Sequence, residues 1–87
     1  MAKYKVVFKR SVAKDFRAIP NSDVERVLQR INRLIEDPRP IGCEKLSGQE
    51  RYRVRQGVYR IIYEIKDEEL VVTVVKVAHR KHVYKFK

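Results

Sequence analysis

The chain contains one cysteine, one methionine and no tryptophan among its 87 residues. Because a disulfide needs two thiols, Cys43 cannot form one within the chain, and no grouping of Cys and His has zinc-site spacing. No apolar run is long enough for a transmembrane helix, and the N-terminus has no apolar signal core. These absences argue against disulfide-stapled, zinc-bound and membrane proteins and favour a protein of the reducing cytoplasm.

Acidic residues are scarce relative to basic ones. The chain has 21 Lys and Arg against 11 Asp and Glu, a formal net charge of +10. Its length suits one small domain with a single core, which we expect to span residues 1–87. So much positive charge on so small a body predicts association with phosphate backbones. Anionic membrane surfaces and acidic protein partners are alternatives that the composition leaves open.

Hydrophobic periodicity predicts two helices after a first strand. Residues 3–9 are rich in β-branched and aromatic side chains and predict a strand. Val12, Phe16 and Ile19 then recur at helical spacing, and Pro20 ends this first helix. A stronger amphipathic stripe between residues 24 and 35 predicts the second helix.

Three strands are expected in the second half, at residues 51–55, 58–66 and 70–79, after a loop over 41–50. The order is then β-α-α-β-β-β. Two helices would pack on one face of a small antiparallel sheet, which is an α+β fold.

The segment RYRVRQGVYR, residues 51–60, predicts a cationic sheet face. Alternation places Arg51, Arg53 and Arg55 on one side of a strand. With Gln56-Gly57 as a two-residue hairpin loop, Arg55 would lie opposite Val58, Arg53 opposite Arg60, and Arg51 opposite Ile62. Gathering like charges in this way destabilises a sheet, which indicates that the face binds a polyanion.

The next turn determines whether Lys76 joins this face. If the loop at Asp67-Glu68-Glu69 has three residues, Arg60 lies opposite Lys76, which becomes a fifth cation. A two-residue loop would shift the register by one and break the alignment, and the sequence leaves both open.

Four segments stand in a fixed order along the chain: residues 8–16 (FKRSVAKDF), 46–48 (LSG), 52–63 (YRVRQGVYRIIY) and 77–84 (VAHRKHVY). Together they resemble the RelE-like toxins of prokaryotic toxin–antitoxin systems, within the wider RelE/ParE superfamily. The resemblance covers nearly the whole chain. It implies a RelE/ParE-like fold and an endoribonuclease that cleaves mRNA in the ribosomal A site. The ribose 2′-OH would attack the adjacent phosphate in line, with no metal and no cofactor.

The resemblance also implies roles for individual residues. The positions that match the family's site are Arg53, Arg55, Arg60, Arg80 and Tyr84. Arg53, Arg60 and Arg80 would neutralise the scissile phosphate as its charge grows, with Arg80 also near the leaving 5′-oxygen. Tyr84 would stack on or orient a base.

Two neighbours of these positions, Arg51 and Lys81, are expected to add contacts to RNA.

One departure from the family concerns the general base. The best-known member has Lys where this chain has Arg53 and Arg55, and one of those lysines is its proposed base. Arg is not deprotonated in proteins, so Arg55 is a poor base. Catalysis would then rest on orientation and electrostatic stabilisation, or another group would take the proton. The candidates are His79, His82, Tyr84 and Lys76. Because histidine titrates nearest the working pH, our hypothesis is that His82 assists.

Three functions compete at this point. The first is a ribosome-dependent endoribonuclease with an acidic RelB-like antitoxin as partner and the 70S-type ribosome with its mRNA as target. The second is a ParE-like inhibitor of DNA gyrase on the same fold, and the third a non-catalytic nucleic-acid-binding module. The presence of all five matching residues favours the first. The resemblance alone selects ribosome-bound mRNA over isolated RNA as substrate.

Overall fold

The computed structural model describes residues 3–46 and 50–81. Its elements are β1 (Lys5–Phe8), α1 (Arg10–Arg17), α2 (Asn21–Arg33), β2 (Glu44–Lys45), β3 (Arg51–Gln56), β4 (Tyr59–Lys66) and β5 (Val71–His79). The five strands form one sheet in the order β1-β5-β4-β3-β2. The predicted α+β class, with two helices packed against a sheet, is confirmed. No helix in the described ranges is long and apolar enough to cross a membrane.

The sheet is mixed, whereas the sequence predicted an antiparallel one. β1 runs parallel to β5, with Lys5 opposite Val71 and Phe8 opposite Val74. A parallel pair needs a long connection between its strands, and the helices and the following strands supply it here. The sheet also gains β2, where Glu44 and Lys45 pair with β3 inside the segment expected to be a loop. A two-residue strand is too short to show an alternating pattern.

The core lies between the helices and one face of the sheet. The inward side chains of the sheet alternate along β3, β4 and β5, as period-two patterning requires. The buried members of this cluster are Tyr52, Val54, Ile61, Tyr63, Ile65, Val72, Val74 and Val77 from the sheet and Val12, Ile19, Val27, Ile31 and Leu34 from the helical half. The opposite face of β3 and β4 therefore points away from the helices.

The β3–β4 hairpin turns one residue later than the sequence suggested. Gln56 pairs with Tyr59, so the two loop residues are Gly57 and Val58, and the predicted Gln56-Gly57 loop is wrong. Gly57 has φ of +60°, and it is the first loop residue, the position where a type II′ turn needs glycine. The partners of β3 therefore move by two residues along β4, and an even shift leaves every side chain on its predicted face.

The β4–β5 connection combines a long loop with a bulge. Lys66 pairs with Val71, so the loop has four residues, 67–70. A loop of this length alone would place Lys76 on the helix side of the sheet. The register shifts between Ile62 and Tyr63, whose partners are Lys76 and Val74, so that Val75 is the extra residue. This bulge turns Lys76 to the face of the arginines, because one added residue reverses the face of every side chain that follows it in β5.

A charged network joins the chain before β2 to the β4–β5 loop. Arg39 donates to both oxygens of Asp67, at 3.1 and 2.9 Å, and its Nε donates to the Tyr52 hydroxyl at 3.1 Å. The Tyr4 hydroxyl donates to Asp67 Oδ1 at 2.7 Å, and this oxygen also accepts from Arg39 Nη1. The hydrogen bonds from Arg39 and then from Tyr4 lower the pKa of Asp67 to about 2. Fork-shaped pairing of this kind fixes geometry as well as charge.

Tyr63 offers a test of the buried hydrogen bonding. Its side chain is fully buried, and its hydroxyl donates to the Pro38 carbonyl at 2.6 Å. Burial raises the pKa of Tyr63 well above its usual range. Tyr63→Phe leaves that carbonyl without its donor, so we expect a loss of about 1–3 kcal/mol in the free energy of unfolding by denaturant titration. Tyr4→Phe, which removes an exposed hydroxyl, is the control. An equal loss of unfolding free energy in both variants would show that the buried bond to Pro38 contributes no more to stability than an exposed one.

Asp67→Asn tests the network through its pH dependence. A carboxylate whose folded pKa lies below its unfolded value contributes stability above the unfolded pKa, near 3.8, and loses it as pH falls toward about 2. We therefore expect the melting temperature of wild type to exceed that of Asp67→Asn at pH 6 and the two to converge toward pH 2. Glu68→Gln removes the same charge from the same loop and is the control. A gap that persists at pH 2 would contradict this assignment.

Candidate nucleic-acid interface

The arginines predicted to share a sheet face do so. Arg51, Arg53 and Arg55 alternate along β3, and β4 places Arg60 directly opposite Arg55. We call these four residues the arginine face. The specific partners predicted from the sequence are wrong, since Arg53 lies opposite Ile62 and Arg51 opposite Glu64. The face survives because the register moved by an even number of residues.

The Arg55–Arg60 pair sets two cations side by side at the end of the hairpin. Arg55 is exposed and Arg60 is half-buried. Directly opposite side chains have Cβ atoms about 4.5–5.5 Å apart, and like charges at this separation destabilise the sheet. Such an arrangement suits a ligand that carries negative charge between them.

Lys76 reaches the same side of the sheet but its charge points elsewhere. It lies opposite Ile62, rather than opposite Arg60 as the three-residue loop required. Its ammonium donates to Asp15 of α1 at 3.0 Å, and the other oxygen of Asp15 accepts the Val77 backbone N–H at 3.1 Å. Asp15 therefore holds Lys76 and also caps the part of β5 that continues past β1. Lys76 is a partner of α1 in this arrangement.

Two carboxylates lie among the arginines. Glu64 accepts from Arg51 Nε at 2.8 Å, and Glu44 accepts from Arg53 Nη2 at 3.0 Å. The Arg53 side chain is only 25 % exposed, and its Nε is buried with no hydrogen-bond partner in residues 3–46 and 50–81. A buried donor without a partner costs about 1–3 kcal/mol, so the position of Arg53 is maintained at a cost in stability.

Glu44 is coupled to most of the arginine face. The hydrogen bond and charge of Arg53 lower the pKa of Glu44, and the charges of Arg55 and Arg60 lower it further. The Glu44 carboxylate is therefore ionised at neutral pH. Nothing in the local sequence pointed to it, because its role depends on its pairing with Arg53, nine positions further along the chain.

The structure places Arg80 beside this face and leaves part of the predicted site undescribed. The Arg80 backbone N–H donates to the Val58 carbonyl at 2.7 Å, which ties it to the β3–β4 loop near the Arg55–Arg60 pair. Arg80 and Lys81 are both exposed. His82 and Tyr84 lie outside the described residues.

His79 lies on the helix side of the sheet. It is opposite Tyr59, with ring centroids 6.0 Å apart, and the Tyr59 hydroxyl donates to Asp23 of α2 at 3.0 Å. His79 Nδ1 accepts the backbone N–H of Lys81 at 3.2 Å. The interpretation of His79 as a strand-end residue therefore fits the structure better than a catalytic role beside the arginines.

Comparison with known proteins identifies the family. The model of the ParE toxin of type II toxin–antitoxin systems, parDE, matches residues 6–84. The chain belongs to this family. Its resemblance to RelE-like toxins is also confirmed, since similar proteins and solved structures carry RelE names.

The relatives carry RelE names. The chain is 28% identical over 81 residues to the mRNA interferase toxin RelE of Escherichia coli K12, covering 90% of this chain and 84% of that protein. It superposes with a TM-score of 0.81 on a chain of the RelE–RelB complex of Pyrococcus horikoshii OT3, at 28% identity, covering 92% and 98% of the two chains. The RelBE2 toxin–antitoxin complex of Mycobacterium tuberculosis gives a TM-score of 0.81 at 26% identity, with 91% and 100% covered. This protein is therefore a RelE-family toxin of the type II class.

The repulsion between the arginines of this face can be measured through its effect on the free energy of unfolding. Arg55→Gln removes one of two directly opposed cations, so we expect the free energy of unfolding to rise by about 0.2–1 kcal/mol at low salt. The gain should shrink in 1 M NaCl, where the Debye length is about 3 Å. Lys66→Gln, which lies opposite Val71 at the other end of β4, is the control. A loss of stability, or a gain that salt leaves unchanged, would contradict the proposed repulsion.

Proposed function

We propose that this toxin is a metal-independent endoribonuclease that cleaves mRNA in the ribosomal A site and so inhibits translation. The observation that carries the proposal is the arginine face, which gathers Arg51, Arg53, Arg55 and Arg60 on the side of the sheet away from the helices. The similarity to an E. coli protein named mRNA interferase toxin supports the reaction type.

The chemistry asked of this face is charge stabilisation. In the proposed reaction the ribose 2′-oxygen attacks the adjacent phosphorus, and negative charge builds up on the phosphate oxygens. Arg53 and Arg60 would bind those oxygens, and Arg55 would hold the neighbouring backbone. Cations that are already in position where negative charge develops lower the activation barrier, because the protein does not have to reorganise during the reaction.

Arg80 and Tyr84 complete the proposed site. Arg80 would lie near the leaving 5′-oxygen, which is consistent with its attachment to the hairpin loop through Val58. Tyr84 would stack on or orient an unpaired base, as aromatic side chains do with single-stranded RNA. Arg51 and Lys81 would contact flanking phosphates.

We also propose an acidic, RelB-like antitoxin as partner and the ribosome with its mRNA as target. The net charge of +10 favours a partner of opposite sign, and the solved neighbours from P. horikoshii and M. tuberculosis are toxin–antitoxin complexes. A chain that is disordered when free and folds on the toxin would cover cationic and apolar surfaces together. The cytoplasm, where ribosomes are, is the proposed location.

The matching family model is named for ParE, and this favours gyrase inhibition as the second candidate. The same fold would then act on a protein target, and loss of the arginine face would leave that inhibition intact. The two candidates differ in whether mRNA is cut.

Primer extension on a defined mRNA in a purified translation system tests the proposal. Wild type should cut the message only when ribosomes are programmed with it. Arg80→Ala should slow cutting about 10²–10³-fold, since it removes one charge contact to the transition state. Arg33→Ala on the exposed side of α2 is a matched control and should cut like wild type.

Absence of cuts with folded toxin bound to ribosomes would overturn the proposal. Supercoiling by gyrase would then be assayed with the same proteins, and inhibition there would establish the second candidate.

A further inference from the structure

Two apolar residues are buried on the side of the sheet away from the helices. Ile62 is fully buried and Ala78 is 9 % exposed, yet neither belongs to the core cluster that the described residues form between sheet and helices. Ile62 lies opposite Arg53 of β3, and Ala78 lies opposite Arg60 of β4, so both share the face of the arginines. The outer face of such a sheet is usually polar and solvated. Ile62 therefore belongs with the arginine face rather than with the core.

Ile62 lies at the centre of a group of long, charged side chains. The register sets Arg53 opposite it on one side and Lys76 opposite it on the other. Arg60 and Glu64 lie two positions before and after it in β4, and therefore on the same face. Arginine and lysine pack their methylene stems on apolar neighbours and keep the charged head in contact with solvent. Ile62 offers those stems an apolar surface.

Arg53 is the neighbour whose side chain is most constrained. It is only 25 % exposed, and its Nε is buried with no hydrogen-bond partner in the part of the chain that the structure describes. On the β2 side its Nη2 donates to Glu44 at 3.0 Å, and on the β4 side it faces Ile62. The bond to Glu44 fixes the end of the side chain but leaves the methylenes before it free to rotate. An apolar neighbour along the stem removes those rotamers.

We propose that Ile62 is a positioning residue that holds Arg53 in the conformation in which it binds the scissile phosphate. The inference rests on the endoribonuclease function proposed above. Ile62 would not touch the RNA and would act through the arginine stem that packs beside it. Its burial would also exclude water beneath the guanidinium, and the attraction between a cation and a phosphate is stronger where water is excluded.

Ile61 provides a matched comparison within the same strand. Ile61 and Ile62 are adjacent, have the same side chain and are both fully buried. Ile61 lies opposite Val54 and Val77 and belongs to the core cluster on the helix side. Shortening either side chain removes the same volume, whereas only the change at Ile62 removes it from the arginine face. Comparing the two therefore separates a loss of packing from a loss of positioning.

The first measurement is single-turnover cleavage of mRNA on programmed ribosomes. Ile62→Ala, Ile62→Val, Ile61→Ala and Ile61→Val are compared with wild type over a range of toxin concentrations, which gives the maximal rate and the half-saturating concentration. Melting temperatures are measured for every variant, and cleavage is assayed at a temperature where all are folded. Should an alanine variant fail to fold, the two valine variants carry the comparison, since each loses a single methyl group.

We expect Ile62→Ala to lower the maximal rate about 10²-fold, because misplacing a catalytic group by about 1 Å has an effect of this size. The half-saturating concentration should stay close to that of wild type, since binding to the ribosome depends on many other contacts. Ile62→Val keeps a branched side chain against the stem, so its rate should lie between those of Ile62→Ala and Ile61→Val. Both Ile61 variants should cleave like wild type, although they lower the melting temperature.

The second measurement reports on Arg53 itself and requires no cleavage. The ¹H–¹⁵N NMR signal of Arg53 Nε, assigned by its absence in Arg53→Lys, gives the rate at which this hydrogen exchanges with water. A buried N–H exchanges slowly because exchange requires local opening. We expect slow exchange in wild type and in Ile61→Ala. Exchange should be about tenfold faster in Ile62→Ala, where the released stem regains rotamer freedom.

Two results would overturn the inference while leaving the endoribonuclease intact. One is an Ile62→Ala rate equal to that of wild type or of Ile61→Ala, which would show that Ile62 contributes packing alone. The other is slow cleavage by Ile62→Ala with unchanged exchange at Arg53, because the effect would then not pass through that arginine. Wild type that cuts no mRNA on ribosomes would overturn the proposed function and the role of Ile62 in it. The exchange rates would still decide whether Ile62 holds Arg53.

Discussion

The alternation of side chains along the β3–β4 hairpin is the constraint on which both the core and the candidate site depend. Tyr52 and Val54 of β3 and Ile61 and Tyr63 of β4 are buried against the helices. Because successive side chains of a strand point to opposite faces, burying these four forces the intervening arginines onto the other face. Hydrophobic burial therefore holds the cations together against their repulsion. The free energy of the core offsets the electrostatic cost of the site.

The bulge at Val75 extends that constraint to β5. The strand must present Val72 and Val74 to the core before the bulge and Val77 after it, which strict alternation does not allow. One extra residue reverses the faces and resolves the conflict. The same reversal puts the Lys76 position on the face opposite the core, from which its ammonium reaches Asp15 of α1 at the sheet edge. It places His79 on the helix side, beside Tyr59. A local irregularity of the backbone thus decides on which face of the sheet Lys76 and His79 lie.

Sequence patterns predicted the class of the fold and the arginine face, and they failed where the answer depended on long-range pairing. Period-two alternation is read from neighbouring residues, so the sides of Arg51, Arg53 and Arg55 followed from the sequence alone. The position of the hairpin turn did not follow from the sequence, because Gly57 can be either the first or the second residue of a two-residue loop. The bulge lies in a run of four valines and a threonine at 71–75, where no residue marks an irregularity. Glu44 was missed because its meaning comes from Arg53, a residue of another strand.

The chemistry of the guanidinium group accounts for the carboxylates that accompany this face. Arginine offers a planar fork of donors that a single phosphate does not fill, and its charge cannot be lost by deprotonation. A cluster of such groups needs acceptors when no ligand is bound. Glu64 and Glu44 supply them to Arg51 and Arg53. Two carboxylates among four arginines leave an excess of positive charge on this face. The cluster therefore stays cationic enough to bind a phosphate. Because Arg53 donates to Glu44 at 3.0 Å, any anion that binds the same guanidinium competes with the Glu44 carboxylate for its donors.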